Sequence, residues 1–441
     1  MNGSSSPMVC RRQMLERAGL AASLAGPASL AACGLPGQSA PPPEAKEVTI
    51  SYLTDWATVA VRAAYLNTYV PKFTEENPKI NVRVESATEV STVALANAAA
   101  GTLQDVMLGS QDIFYQLVKA GGWRDIASVL KSLKINMDDL VYIPSSIKYQ
   151  GKQYGLPFQP NIGMMTINKT LFRNAGAPLP DSKTTYQQLL ESLQKVANPD
   201  ATIYGIETRW GAAQWAHFIW AWGGEILSPD FKKTLIDQPA AIEGLQFMFD
   251  LLHRYKVGTP IDEKNAMPAG VSRNDGNLAI AYTSSPIHGF GKAQASLFEL
   301  DFMYHPIGTK TNKRFVATGD QPNLVTGAAD KHGVFEQAVK FIAWLSTSKT
   351  AQGGMAANGP EVPTLKAALN DPAYLAPPPA STKIVFDQAP AFRELPVFLG
   401  AQDWTLATRA ALIPAFLGQR SVPDAAREAT RAGDVVLAKY Q

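Results

Sequence analysis

The feature that most constrains the fold is an alternation of strand-like and helix-like segments between residues 48 and 120. Residues 48–53 alternate β-branched and apolar side chains, as a strand does, and the helical stretch 60–76 follows them. The same order then repeats, with strands at 80–85 and 105–109 and helices at 90–100 and 113–120. Regular alternation of this kind predicts an α/β fold built on a parallel sheet.

An apolar run precedes this folded part. Arg11 and Arg12 are followed by the apolar residues 18–32, and the run ends in Leu30-Ala31-Ala32-Cys33. A run of roughly 15 residues is too short to span a bilayer. A charged start, an apolar centre and small residues before a cleavage site are typical of an export signal. We therefore predict that residues 1–32 are an export signal and not part of the fold.

The end of this signal resembles a bacterial lipoprotein box, in which the cysteine becomes the lipidated first residue. The resemblance implies that Cys33 carries lipid. The arginine pair resembles a twin-arginine export signal, but paired arginines also begin ordinary secretion signals, and Glu16 stands where a basic residue is usual. Both export routes stay open. Residues 33–46 are rich in proline and small residues, which predicts a flexible tether.

Cysteine usage and charge exclude several classes of function. Cys10 leaves with the signal and Cys33 would carry lipid, so no thiol remains for a disulfide, a zinc site or a nucleophile. The chain has 40 Lys and Arg against 38 Asp and Glu, and the signal removes three arginines and one glutamate, which leaves 37 of each. A neutral mature chain argues against nucleic acid or an anionic membrane surface as the main partner.

Several short motifs follow one another in a set order along the rest of the chain. They are Tyr154-Gly155-Leu156-Pro157, residues 161–169, 171–172 and 175–176, then Trp220-Ala221-Trp222-Gly223-Gly224, residues 277–281, 306–308 and 319–320, and the helix 335–345. In order and spacing, they resemble family 1 extracellular solute-binding proteins, the sugar-capturing receptors of ABC importers. The resemblance covers nearly all of the chain after the signal.

This resemblance implies a type II periplasmic-binding-protein-like fold, in which two α/β lobes joined by a hinge hold ligand in the cleft between them. It places lobe one at 47–160 plus 311–353 and lobe two at 161–310 plus 354–441. The implied function is that of a lipid-anchored receptor on the outer face of the cytoplasmic membrane, which captures a mono- or oligosaccharide and delivers it to ABC permease subunits. We expect a monomer that uses no cofactor or metal and catalyses no reaction.

Candidate ligand-binding residues follow from the chemistry of sugars and from the family. Sugar sites combine flat aromatic rings with side chains that hydrogen-bond to hydroxyls. Trp215 and Trp222 are seven residues apart and share one face of a predicted helix. The other candidates lie at strand ends or at crossings between the lobes, and they are Asp55, Trp56, Gln111, Asp112, Gln159, Asn161, Ser285, His288, Asp320 and Glu361.

Each candidate also has a structural interpretation. Trp215 and Trp222 could pack in the core of their helix layer, and Asp55 and Asp112 could cap helices. Asp320 could stabilise a turn.

The ligand class also stays open, because Ile287 and His288 stand where the family usually has an aromatic residue. A polyamine or a phosphorylated polyol is the second candidate ligand. A secreted glycoside hydrolase is the third reading, because two catalytic carboxylates leave no spacing signature in a sequence. The two Ser-x-x-Lys runs, 145–148 and 346–349, lack the Ser-Asp-Asn and Lys-Thr-Gly motifs of penicillin-recognising enzymes.

Overall fold

Strand and helix alternate from the start of the folded part, as the sequence predicts. Strands β1 (Val48–Thr54), β2 (Ile80–Ser86) and β3 (Val106–Leu108) are parallel, with β1 between the other two. The helices Ala60–Glu76 and Val90–Ala100 connect them, with the bounds predicted from the sequence. Gly101 ends the second helix at φ +72°, a conformation that side chains with a Cβ rarely adopt. The computed structural model describes residues 46–110, 113–119, 123–209, 211–283, 297–358 and 361–440.

Three later strands complete this first sheet. The short hairpin β4 (Lys148–Tyr149) and β5 (Lys152–Gln153) precedes β6 (Gly155–Ile162). Strand β11 (Val316–Val325) pairs antiparallel with β3 and with β6, and β12 (Phe392–Glu394) pairs parallel with β11. The strand order is therefore β12-β11-β3-β1-β2, with β6 also on β11. The helix Phe335–Thr347 contributes Phe341 and Ile342 to the core of this sheet.

The second sheet has the order β10-β7-β9-β8. Its strands are β7 (Met164–Asn168), β8 (Tyr204–Ile206), β9 (Leu278–Thr283) and β10 (Leu300–Met303). Strand β7 is antiparallel to both of its neighbours, whereas β8 and β9 are parallel. Five longer helices contribute buried residues to the core of this sheet, and they are Tyr186–Val196, Ala212–Ala221, Pro239–His253, Ala401–Phe416 and Val422–Lys439. The short helix Lys169–Asn174 adds Phe172 to the same core.

Shorter helices complete the described part of the chain. They are Phe114–Lys119, Ala127–Ser132, Lys169–Asn174, Gly327–Lys331, Lys349–Asn358, Lys366–Leu369, Pro372–Leu375 and Ile384–Asp387. None of the helices in the described ranges is both long and apolar enough to cross a membrane.

Within the described residues, the chain passes three times between the first sheet and the strands or helices of the second sheet's layer. Only Gly163 separates β6 of the first sheet from β7 of the second. Residues 304–315 lead from β10 back to β11, and residues 395–400 lead from β12 to the helix Ala401–Phe416. The third crossing differs from our proposed lobes, because β12 pairs in the first sheet although we assign residues 354–441 to lobe two. The lobe boundaries therefore stay a proposal.

Candidate functional site

The first two crossings lie against each other. Gly163 donates a backbone hydrogen bond of 2.9 Å to the carbonyl oxygen of Ala317, at the start of β11. A Cβ at position 163 would lie 3.0 Å from that oxygen and 3.4 Å from Nε2 of His217. Glycine therefore allows the two crossing strands and the helix Ala212–Ala221 to approach closely. A motion of one sheet relative to the other would pass through this point.

A cavity of about 350 Å³ lies beside these crossings, and we call it the crossing cavity. It brings together three of the predicted ligand residues, which come from three different elements. Asn161 lies on β6, Trp215 on the helix Ala212–Ala221, and Asp320 on β11. Four polar or aromatic residues of the helix Ala401–Phe416 also line the cavity, and they are Gln402, Trp404, Thr405 and Arg409. Hydrogen-bonding groups and ring edges thus surround one space, as a site for a polyhydroxylated solute requires.

Asp320 supplies the carboxyl group among the described residues that line this cavity. It lies in the middle of β11, where we expected the end of a strand, and it is 3% exposed. Burial raises the pKa of Asp320 well above its usual range, and the charge of Glu394 acts in the same direction. The neutral form of Asp320 is therefore more favoured than that of an exposed aspartate. A neutral carboxyl can both donate to and accept from a ligand hydroxyl.

The two tryptophans of the crossing cavity are mostly buried in the core of the second sheet. Trp215 is 1% exposed, and its ring centroid lies 6.5 Å from that of Trp404. The indole N–H of Trp404 donates to Oγ1 of Thr234 at 2.9 Å. Trp215 therefore has the packing role that we considered as its structural interpretation, and it also lines the cavity.

Four other predicted residues form a bonded cluster around Arg62, which we call the Arg62 cluster. Arg62 donates from Nε to Glu361 at 2.8 Å, and its guanidinium lies 3.5 Å from Asp55. The guanidinium carbon also lies 5.8 Å from the ring centre of Trp56. The indole N–H of Trp56 donates to Oε1 of Gln159 at 2.8 Å.

This cluster changes what we expect of its members. Trp56 is fully buried between Tyr65 and Phe158, so its ring packs in the core and holds Gln159 in place. Glu361 is 1% exposed and serves as the ion-pair partner of Arg62. The structure thus gives Trp56 and Glu361 structural contacts where we predicted ligand contacts.

Trp222 is also a packing residue. Its partly buried ring lies 5.3 Å from that of Tyr186 and 4.6 Å from that of Phe247, and it packs against the core of the second sheet. The structure does not bring it to the crossing cavity. The remaining predictions, Gln111, Asp112, Ser285, His288 and the lipidated Cys33, lie outside the described residues.

A second cavity of about 540 Å³ adjoins the first, and we call it the Trp220 cavity. The two cavities share Ile226, Leu395 and Pro396 as lining residues. Aromatic side chains from both sheets line it, because Tyr115 follows β3 whereas Trp220 belongs to the helix Ala212–Ala221. The guanidinium carbon of Arg393 lies 4.4 Å from the ring centre of Trp220. The two adjoining spaces are together called the groove.

Sequence reasoning missed Gln402, Trp404 and Arg409. The sequence signal that could have found Trp404 is a tryptophan in a C-terminal helix that begins after Gly400, whose φ is +89°. That signal does not say which face of the helix meets the crossing.

Known proteins share this architecture. An ABC substrate-binding protein from Listeria monocytogenes, solved in complex with cycloalternan, has a TM-score of 0.77 at 22% identity, over 89% of this chain and 99% of that chain. A protein from Mycobacterium tuberculosis, solved in complex with glycerophosphocholine, has a TM-score of 0.73 at 19% identity, over 89% of this chain and 99% of that chain. These likenesses confirm the predicted two-lobed fold.

Sequence comparison gives the family. The multiple sugar-binding protein of Streptococcus mutans is 24% identical over 323 residues, which cover 69% of this chain and 73% of that protein. The family model described as bacterial extracellular solute-binding protein matches residues 56–352. This match covers more than half of the chain and runs through both sheets. The chain belongs to the family of bacterial extracellular solute-binding proteins.

Proposed function

We propose that this protein binds a mono- or oligosaccharide in the groove formed by the crossing cavity and the Trp220 cavity, and delivers it to the permease of an ABC importer. The observation that carries the proposal is the groove itself. Asn161, Asp320 and Gln402 offer hydrogen bonds to hydroxyls, and the largely buried rings of Trp404 and Trp220 line the same space. The sugar-binding relative in Streptococcus mutans supports the same ligand class.

Binding would act through closure of the two lobes. Residues of both sheets line the groove, so a solute that contacts both favours the closed arrangement over the open one. The three crossings are the places where backbone rotation would accommodate this motion. Capture and release need no bond to be made or broken, and we propose that the protein is not an enzyme.

The proposed location is the outer face of the cytoplasmic membrane. The export signal and Cys33 at its end support a lipid anchor, and residues 34–46 would keep the fold at a distance from the bilayer. A single monomer that offers both lobe surfaces to the permease is sufficient for delivery.

A phosphorylated polyol is the second candidate ligand. The observation that favours it is the presence of Arg409 in the crossing cavity, since this arginine forms no ion pair with any described residue. The likeness to the Mycobacterium tuberculosis protein solved with glycerophosphocholine agrees with this alternative.

A thermal-shift screen of the purified full-length chain tests the proposal. A ligand that binds only the folded state raises stability by RT ln(1 + [L]/Kd), or about 2.7 kcal/mol at a concentration of 100 Kd. We expect neutral or acidic saccharides to raise the melting temperature by several degrees and amino acids and polyamines to leave it unchanged. A shift with polyamines alone, or with glycerol phosphates alone, would replace the carbohydrate proposal.

A further inference from the structure

A third cavity, of about 370 Å³, lies at the ends of two strands of the second sheet. Strands β8 and β9 are parallel, so their carboxyl ends meet at one edge of the sheet. Glu207 and Arg209 follow β8, Tyr282 lies near the end of β9, and Arg273 precedes that strand. All four line this space, which we call the arginine cavity. Gly163 lines it too, so it reaches the crossing between the sheets.

The centre of the arginine cavity is a buried carboxylate. Glu207 is 5% exposed, and its Oε2 accepts the backbone N–H of Tyr282 at 2.9 Å. Its Oε1 lies 3.4 Å from Nη1 of Arg209. Burial raises the pKa of Glu207, whereas the charges of Arg209 and Arg273 lower it. One carboxylate thus lies within the influence of two guanidinium groups.

The cavity therefore has an excess of positive charge. Burial lowers the pKa of Arg273, and the charge of Glu207 opposes that change. Among the described lining residues, the other titratable side chains are Tyr282 and His217. His217 is neutral because burial lowers its pKa well below the usual range. Two positive groups and one negative group leave a net charge of about +1. The excess is local, because the chain after the signal has equal numbers of acidic and basic residues.

The arginines are arranged for contact with a solute. The side chain of Arg209 keeps 44% of its surface exposed, so its guanidinium is accessible from the cavity. The fork of a guanidinium matches two oxygens of a carboxylate or a phosphate, and such charge-assisted pairs are stronger in a partly buried site than in water. Gln214, Ser272 and Asn274 also line the cavity and offer hydrogen bonds to neighbouring hydroxyls.

We propose that the arginine cavity binds an anionic substituent of the solute, a carboxylate or a phosphate, through Arg209 and Arg273. This inference rests on the proposed carbohydrate-binding function and deepens it, because it names acidic carbohydrates, uronic acids or sugar phosphates, as the ligand class. Glu207 is the positioning residue, since it holds Arg209 beside the end of β9 and limits the positive charge when no ligand is bound.

The test is calorimetric titration of the full-length chain with matched saccharides. Each neutral mono- and disaccharide is paired with its uronic acid and with its 6-phosphate, and sn-glycerol 3-phosphate is the arm without a sugar. The variants are Arg209→Met and Arg273→Met, with Arg431→Ala as the control, because Arg431 is a surface arginine with its own partner, Glu428. Circular dichroism melting of each variant shows whether the fold is retained. Arg209→Lys is a further variant that keeps the positive charge and lacks the guanidinium group.

We expect the acidic member of at least one pair to bind at least tenfold more tightly than its neutral partner. Arg209→Met should abolish that preference while leaving the affinity for the neutral partner within about threefold, and Arg431→Ala should change neither. Higher affinity for carboxylate than for phosphate, or the reverse, identifies the anion. Equal affinity for neutral and acidic members overturns the inference and leaves the carbohydrate function intact. If glycerol 3-phosphate binds and no saccharide does, or if nothing binds at all, both the inference and the carbohydrate function are overturned.

Discussion

The imidazole rings of His217 and His305 lie 4.4 Å apart, and each contacts a different crossing between the sheets. Nδ1 of His217 lies 3.2 Å from the carbonyl oxygen of Phe315, just before β11. Nε2 of His305 lies 2.6 Å from the carbonyl oxygen of Gly163, between β6 and β7. Both histidines are fully buried. The pair therefore joins two of the three places where the chain passes from one sheet to the other.

This pair predicts that acid destabilises the protein. Burial lowers the pKa of His305 to about 4 and that of His217 well below its usual range, so both are neutral in the folded state. Below pH 6.5 the unfolded chain takes up protons that the folded chain does not, so the free energy of unfolding falls as the pH falls. The expected loss is roughly 1 kcal/mol per pH unit for each histidine. Urea unfolding at a series of pH values from 7.5 to 4.5 measures this loss of unfolding free energy.

The control for this prediction is the double variant H217N/H305N. It retains the ordinary carboxylates, which also titrate in this range, and lacks only the two imidazoles. The pH slope of its unfolding free energy should therefore be shallower than that of the wild type. Identical slopes would contradict the assignment of this sensitivity to the histidine pair.

The Arg62 cluster predicts a large loss of stability when one partner is removed. Arg62→Met removes the guanidinium that pairs with the carboxylate of Glu361, which is 1% exposed. Breaking a buried pair in this way costs about 3–5 kcal/mol. The double variant R62M/E361Q should recover a large part of the loss, because the deeply buried carboxylate is then gone and only the more exposed Asp55 has lost the guanidinium. Chemical denaturation of the wild type, Arg62→Met and R62M/E361Q gives their free energies of unfolding. Equal stability of the single and double variants would contradict this prediction.

Substitutions at Gln402 and Trp222 should distinguish a ligand-binding residue from a packing residue. Gln402 lines the crossing cavity and is only half-buried, so Gln402→Ala should weaken saccharide binding by about 1 kcal/mol with little change in melting temperature. Trp222→Ala removes a partly buried ring that packs against the core and should cost about 3 kcal/mol of stability with unchanged affinity. Titration calorimetry and melting curves of both variants give the two quantities. If Trp222→Ala weakens binding and leaves stability intact, our sequence-based prediction of a ligand contact is right.

We predict that a lipid on Cys33 attaches the protein to the membrane. In the native host, Cys33→Ser should move the protein from the membrane fraction to the soluble fraction, because no other thiol follows the signal. Fractionation followed by immunoblotting measures the distribution. Membrane association that persists in the variant would refute the anchor.

The sequence predicts local structure well where local rules determine it. The helix Ala60–Glu76 has the predicted bounds because its apolar spacing and the following Asn77-Pro78 are local signals. Asp320 was expected at a strand end but lies inside β11, because pairing with β3 and β6 extends that strand through Gly319. Partners far along the chain override the turn signal there.

The site was predictable only in part, for the same reason. Asn161 and Asp320 could be proposed from their place near the crossings. Arg62 and Glu361 are 299 residues apart, so nothing near either residue shows that they pair. Gln402 and Arg409 reach the crossing cavity through the packing of a C-terminal helix against the second sheet. Only the folded arrangement shows these contacts.

The most direct test of the central claim is calorimetric titration of the wild type and of N161A/D320N with the saccharide that most stabilises the protein. Both residues line the crossing cavity, and both lie on the strands that pass between the sheets. We predict that the double variant binds at least tenfold more weakly and keeps a melting temperature within a few degrees of the wild type. Equal affinity of the two proteins would show that the saccharide binds elsewhere and would contradict this account.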